Sequence, residues 1–267
     1  MDRALYIAMT GATQTLKAQA LNSHNLANAN NPAYARQRAR VETSGTLPST
    51  LGVQGTGADV TGIEQLRNAL IDRQISSEVS MGGYWTARQG ALTSMQSGIG
   101  QEIDRHAAGP EGSAAASGTG GQQGVAEGIQ QFFSALQNLS TDPSSMAERQ
   151  ILLQQAAGLA TKFNSTSSRL AELNSALNQS VSSDTAEANQ LLSDLSRLNE
   201  RITTAEVLSD GLANDLRDLR QSKLEELSEL VRFDAAEDSA GAVNITVGGV
   251  LLVNGNNVEE NLETHDL

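Results

Sequence analysis

From Leu152 onward the apolar residues of this sequence keep a single rhythm. Leu152, Ala156, Leu159, Phe163, Thr166, Leu170, Leu173 and Leu177 are spaced alternately by four and three. Spacing of that kind lines side chains along one stripe of an α-helix and commits the chain to long helices that bury the stripe against one another. The same rhythm precedes it at Val125, Ile129, Phe132, Leu136 and Leu139, and follows it at Leu191, Leu195, Leu198, Ile202 and Ala205. Thr141-Asp142-Pro143-Ser144 separates the first two stretches, because the residue before a proline is pushed out of helical geometry. Gly211 marks a turn, and Leu212, Leu216, Leu219, Leu224, Leu227 and Val231 make a closing helix. The fold class expected is mainly α: an elongated helical bundle with long coiled-coil-like helices.

Composition agrees with thin helices. Aromatic residues are only 3% of the chain, and the apolar 39% is mostly Ala, Leu, Val and Ile. Small apolar side chains suit bundles better than a broad globular core. The net charge of −13 repels phosphate backbones and anionic lipid headgroups, which argues against nucleic-acid and membrane partners. There are no cysteines, so disulfides, thiol nucleophiles and thiolate metal sites are excluded. No stretch approaches the ~18 apolar residues of a membrane-spanning helix. The N-terminus lacks a cationic start followed by an apolar block, so it does not read as a Sec-type signal peptide, and export would need another route.

The first segment, from about Ala4 to Asn28, reads as a helix with a weak seam. Leu5, Met9, Ala12, Leu16, Gln19, Ser23 and Leu26 keep the four-three spacing, but Ala, Gln and Ser occupy seam positions. Such a helix is marginal alone in water. It is either a frayed terminus or a helix that becomes stable when partners pack on it. Asn30, Asn31 and Pro32 stop it. Tyr34 to Gly62 is rich in Gly, Ser and Thr, with short apolar alternation around Val41 and Val60 that predicts extended pieces in a loop-like connector.

A second helix is expected from Ile63 to His106, with Gly82–Gly83 as a kink or break. Gly109 to Gly124 is low-complexity and reads as a flexible loop; no Gly-Lys-Ser/Thr follows it, so it is not a phosphate loop. After Phe233 the period changes. Val243, Ile245 and Val247 alternate, Gly248–Gly249 turn, and Val250 to Val253 is a second apolar run, which predicts a β-hairpin. A lone hairpin is rarely stable, so this β region is either cut short or docked on the helices. Three segments result: an N-terminal assembly segment at 1–62, a helical bundle at 63–232, and the start of a β region at 233–267.

Catalytic chemistry finds no foothold in the pattern. His24, His106 and His265 lie in unrelated segments without helical pairing, so no metal site is expected and they read as solvent-exposed. Asp215, Asp218, Glu225, Glu226 and Glu229 interleave with Arg217, Arg220 and Lys223 at helical spacing, as on a solvated helix face. Few aromatics argue against a sugar or nucleotide cleft. No catalytic residue, cofactor or metal is expected, and the chain reads as a non-enzymatic, self-associating helical module.

A resemblance carries the reading further. Ser23, Asn25, Leu26, Ala27, Asn28, Pro32 and Tyr34 fit the pattern Ser-x-Asn-(Ile/Leu)-Ala-Asn-x-x-Thr-Pro-Gly-Tyr near the N-terminus of flagellar rod, hook and hook-associated proteins. Asn31 stands where that pattern has Thr, and Ala33 where it has Gly, so Ala33 is expected to take a conformation glycine reaches more easily. Within this axial family, Tyr34-Ala35-Arg36-Gln37, Gly57 to Ile63, Phe132 to Ser140, Ala147 to Gln150 and Asn214 to Arg220 resemble stretches of the hook-associated protein 1 branch, in the same order. Val243 to Val247 suits the β segment that follows them there.

The resemblance implies a structural subunit at the junction of hook and filament. It implies export through the flagellar type III apparatus with help from a chaperone, and residence outside the cell in the flagellum. The partners implied are further copies, the hook protein, the second hook-associated protein and the filament. It also implies that the terminal helices order only on assembly, with Leu5, Met9, Ala12, Leu16 and Leu26 as packing positions. Ser23, Asn25, Ala27, Asn28, Pro32 and Tyr34 then shape the turn. Members usually end in a helix that pairs with the N-terminal one; nothing after Val258 reads so, which points to a fragment or a shortened protein. Two rival readings stand beside this one. A hook or rod protein is disfavoured by the helical middle of the chain. A secreted hydrolase is disfavoured because no carboxylate is set apart from the rest.

Overall fold

The stop signals after the first segment act where they stand. In the computed structural model, which describes residues 3–49, 52–99, 124–208 and 212–264, helix α1 spans Arg3–Ala27. Beyond it the chain turns through Asn28–Tyr34, with Asn31 N–H donating to the Asn28 carbonyl (2.9 Å) and Tyr34 N–H to the Asn31 carbonyl (3.2 Å). The Gly-, Ser- and Thr-rich connector then builds two antiparallel ladders. Strand β1 (Gln37–Thr43) pairs with β4 (Ala58–Gln65), from Gln37↔Gln65 to Thr43↔Ala58, with one register shift at Arg40/Val41. Between them β2 (Thr46–Ser49) pairs with β3 (Gly52–Gly55).

The second helix does not begin at Ile63. Ile63 pairs with Ala39 inside β4, and the Leu66 N–H donates to the Arg36 carbonyl (2.8 Å). Helix α2 (Ala69–Ile99) starts after Asn68, whose Oδ1 accepts from the Leu70 N–H (3.0 Å) as a cap. Ile63 and Leu66 fit a helical stripe and a strand equally well over so short a run, and the ladder to β1 decides for the strand. Helix α2 also passes through Gly82–Gly83 without a break. The residues after Ile99 expected to continue it, the Gly-rich stretch up to residue 123 and the turn at Gly211 lie outside the described residues.

Helix α3 (Val125–Thr141) ends at the Asp142-Pro143 break. Ser145 then caps the next helix, its Oγ accepting from the Glu148 N–H (3.3 Å), in the Ser-x-x-Glu pattern of a capping box. That helix, α4 (Met146–Leu208), is 63 residues long and joins the two heptad stretches into one. It contains no proline, and Gly158 is its one glycine. Helix α5 (Asn214–Leu230) follows. The chain closes in a four-stranded antiparallel sheet in the order β5 (Asp234–Glu237), β6 (Val243–Val247), β7 (Val250–Asn254), β8 (Asn257–Val258). The β6–β7 turn needs positive φ at both central residues, and Gly248 (+59°) and Gly249 (+89°) supply it.

Contacts group the described chain into two compact units. One comprises 1–83 with 185–263 and the other 84–184 with the last residues. The first holds the main core. Leu191, Leu192 and Leu195 of α4 and Leu224 and Leu227 of α5 pack with Val243, Ile245, Leu252 and Val253 of the sheet. The hairpin is therefore docked on the helices, with two flanking strands added. In the second unit α3 packs on α4 at Gly128, where an added Cβ would meet the side chains of Leu159 and Lys162 at 3.0–3.1 Å.

Candidate functional site: the N-terminal turn and its anchor on α5

The motif residues converge on one side chain. Asn25, near the end of α1, accepts with Oδ1 from the Gln37 N–H (2.9 Å) and the Tyr34 hydroxyl (2.8 Å), and donates from Nδ2 to the Gln37 carbonyl (2.9 Å). A carboxamide is suited to this because it offers donor and acceptor together, as a neighbouring strand would. Asn28 folds back on the helix, donating from Nδ2 to the His24 carbonyl (3.0 Å). Asn31 Oδ1 accepts from the Ala33 N–H (3.1 Å), an Asx turn that leads into Pro32-Ala33. The expectation of a glycine-like backbone at Ala33 fails: no described non-glycine residue has positive φ. The Asx turn makes the bend with ordinary dihedrals.

Of the turn residues named from the sequence, Asn25, Asn28 and Tyr34 come together, while Ser23, Ala27 and Pro32 sit exposed around them. His24 corrects the reading of a solvent-exposed ring. It is half-buried, its Nδ1 lies 3.0 Å from the Tyr34 hydroxyl, and the two rings meet edge to face. Burial, with Asp215 and Asp218 nearby, pushes the Tyr34 phenol above its ordinary range.

The turn is fastened to α5, and this anchor was not legible as one. Ala35 N–H donates to Asp218 Oδ2 (3.1 Å), and Gln37 Nε2 donates to Asp215 Oδ1 (3.0 Å). From β4, Gln65 Nε2 donates to the Asn214 carbonyl (2.7 Å), and Asn214 Nδ2 donates to the Ile63 carbonyl (3.0 Å). Arg67 bridges Asp218 (2.8 Å) and Asp72 (3.1 Å). Helix α5 is thus a solvated charged face only in part: Asp215, Glu226 and Glu229 are exposed, while Asp218 and Arg220 are buried. Asp218 is 6% exposed and Arg220 5%. Burial raises the Asp218 carboxyl above its ordinary value, while the Ala35 N–H and the Arg67 guanidinium pull it back.

Further along α5 a second polar node ties the helices to the sheet. Arg220 Nη1 donates to Asn199 Oδ1 (3.1 Å) and to the Gly241 carbonyl (2.6 Å). Arg217 pairs with Glu206 (2.7 Å) and Glu237 (2.6 Å). The Arg217 hydrogen bond holds the Glu206 carboxyl below its ordinary value of 4.5. A carboxylate depressed in the folded state stabilises the fold above its unfolded pKa and loses that contribution as pH falls through the folded one. Stability should therefore decline on acidification below about pH 4.5, and Glu206→Gln should flatten that part of the profile, as measured by urea midpoints across pH.

The packing positions named on α1 stay open. Leu5, Met9, Ala12, Leu16 and Leu26 are all exposed, Leu16 at 66% and Leu26 at 76%. Where α1 meets β1 and β4, a groove of about 660 Å³ is lined by Leu21, Ala39, Val60, Ile63 and Leu212 among others. Among the described residues no group of three or more His, Cys, Asp or Glu is placed to hold a metal ion. None of the described helices is long and apolar enough to cross a membrane.

A helical module with an open N-terminal stripe, pinned at its base by an asparagine clamp, is the arrangement of an assembly protein rather than a closed globule. Residues 117–266, more than half of the chain, match the family model described as the flagellar hook-associated protein FlgK helical domain. The chain belongs to that family. Flagellar hook-associated protein 1 of Bacillus subtilis is 26% identical over 247 residues, covering 88% of this chain and 45% of that protein. Its namesake in Salmonella typhimurium is 26% identical over 262 residues, covering 97% of this chain and 44% of that one. The chain thus spans less than half the length of these curated relatives. The solved flagellar hook junction protein FlgK of Burkholderia pseudomallei has a similar fold, with TM-score 0.52 and 21% identity, covering 70% of this chain and 29% of that one.

Proposed function

We propose that this chain acts as a structural subunit of the bacterial flagellum, forming the junction between hook and filament on which filament assembly depends, with no catalytic role. The observation that supports this best is the pairing of an exposed α1 seam, Leu5, Met9, Ala12, Leu16 and Leu26, with a turn held rigidly by Asn25 and Tyr34. A helix that leaves its apolar positions in water gains stability only when other chains cover them, at roughly 25 cal/mol per Å² buried. The names of the relatives point the same way. The partners in this reading are further copies, the hook protein, the second hook-associated protein and the filament subunit. Delivery is through the flagellar type III apparatus with an export chaperone.

Electron microscopy of a strain lacking the gene tests the assignment. Bare hooks, with unassembled filament subunit in the medium, are the expected result. Normal filaments would overturn the junction role, and loss of the hooks themselves would move the chain to the hook or rod. Removing residues 1 to 34 should leave the helices folded by circular dichroism and abolish incorporation at the hook tip. Normal incorporation of that shortened chain would sink the role given to α1 and its turn.

A further inference from the structure

An arginine-lined groove lies in the unit formed by 1–83 and 185–263, away from the α1 seam. It has a volume of about 590 Å³, and five arginines line it: Arg67, Arg73, Arg217, Arg220 and Arg232. Three of them are committed to the fold. Arg67 is held by Asp72 and Asp218, Arg217 by Glu206 and Glu237, and Arg220 by Asn199 and the Gly241 carbonyl. Arg73 and Arg232 are different. Both are exposed, and neither makes a hydrogen bond or ion pair among the described residues. Asp72, Asp234 and Glu237 line the groove as well, but Asp72 is taken up by Arg67 and Glu237 by Arg217, so the two unpaired guanidinium groups leave the groove able to receive carboxylates.

The same unit carries the complementary element. Glu259-Glu260-Asn261-Leu262-Glu263 follows β8 without regular secondary structure, with Glu259, Glu260 and Glu263 exposed. Leu262 is fixed from both sides by Asn189, whose Nδ2 donates to its carbonyl (2.9 Å) and whose Oδ1 accepts from its N–H (2.8 Å). The acidic segment is therefore fixed at one point to α4, with Glu260 and Glu263 on either side of that point. Among the described residues no ion pair joins it to the groove, so the two complementary surfaces are left unmatched within one chain.

We propose that the groove receives the Glu259–Glu263 segment of a second copy of this chain, with Arg73 and Arg232 pairing with Glu260 and Glu263. Groove and segment are different surfaces, so the contact is heterologous and repeats head to tail, closing into a ring if its rotation permits. This deepens the reading of the chain as a structural subunit standing beside its own copies, and rests on it.

The cysteine-free sequence allows a clean test in purified protein. A Ser77→Cys chain, with the thiol on the groove wall, is mixed at high concentration with an Asn261→Cys chain under mild oxidation. The heterodimer should form several-fold faster than with a control Ser167→Cys partner, whose thiol lies in the other unit. Arg73→Glu with Arg232→Glu should bring the rate down to the control, and Glu260→Arg with Glu263→Arg on the partner should restore it. High salt should slow the reaction toward the control, since exposed pairs are screened. A rate equal to the control, or one indifferent to the charge reversals, overturns the contact. Because no flagellum is involved, that failure is separable from failure of the junction role, which the microscopy decides.

Discussion

Asn199→Ala is expected to destabilise the 1–83/185–263 unit by about 3–5 kcal/mol. Asn199 is fully buried in α4 and uses both ends of its carboxamide. Its Nδ2 donates to the carbonyls of Val243 (2.9 Å) and Gly255 (2.7 Å), and its Oδ1 accepts from the Val243 N–H (3.1 Å) and from Arg220 (3.1 Å). Alanine would strand two carbonyls and one N–H beside the core and remove a neutral partner from a buried guanidinium. Each orphaned buried group costs about 1–3 kcal/mol. Asn199→Asp separates the contributions, because it keeps the acceptor but sets a carboxylate oxygen against two carbonyls, so it should be no better than alanine. Urea denaturation followed by circular dichroism reads both. A midpoint within error of the parent for Asn199→Ala would mean that the sheet is held by apolar packing alone.

This node explains what the sequence reading reached and what it missed. Periodicity reports which face of an element is apolar, so α1, α3, α4, α5 and the β6–β7 hairpin were all legible from spacing. Docking of that hairpin on the helices was one of two readings the sequence left open, the other being a β region cut short. Polar burial has no period. Asp218 and Arg220 sit among charged neighbours at ordinary helical spacing, and nothing local distinguishes them from Glu226 and Lys223, which pair at 2.5 Å across one helical turn at the surface. What separates them is tertiary: Asp218 meets Ala35 and Arg67, from more than 150 residues away in sequence, and Arg220 meets Asn199 and Gly241, each 21 residues away. The misplaced start of the second helix has the same origin. Ile63 and Leu66 carry too few residues to fix a period, and the partner strand that decides the matter is not local.

The motif at the N-terminus was legible only as a resemblance, and the geometry now gives it a physical content. Asn25 reproduces the hydrogen bonding of a strand edge toward Gln37, while Tyr34 and His24 close the turn. Helix α5 then links this turn to the sheet. Asp215 and Asp218 hold the turn, and Arg217 and Arg220, from the same helix, hold Glu237 and Gly241. One helix therefore couples the segment proposed for assembly to the hydrophobic core, and disorder in either should be felt by the other.

The two neighbouring glycines of α2 should respond to alanine with opposite sign. Gly82→Ala is expected to stabilise the chain by about 0.5–1 kcal/mol, because a Cβ there meets nothing within 4 Å and glycine in a helix interior loses more backbone entropy on folding than alanine. Gly83→Ala gains the same propensity but places its Cβ against the backbone carbonyl of Glu229 in α5, under the 3.0 Å that real Cβ atoms respect. A carbonyl inside a helix cannot swing aside as a flexible side chain can, so α2 must move off α5. The net cost should be about 1–3 kcal/mol. The sequence reading took this pair for a kink or break, yet the helix runs through it; the glycine at 83 is there for close helix packing, not for a bend. Thermal unfolding of the two single variants decides the matter. Equal shifts of the same sign would mean that α2 and α5 do not pack at Gly83, whereas a rise for Gly82→Ala beside a fall for Gly83→Ala locates the contact at one side chain's width.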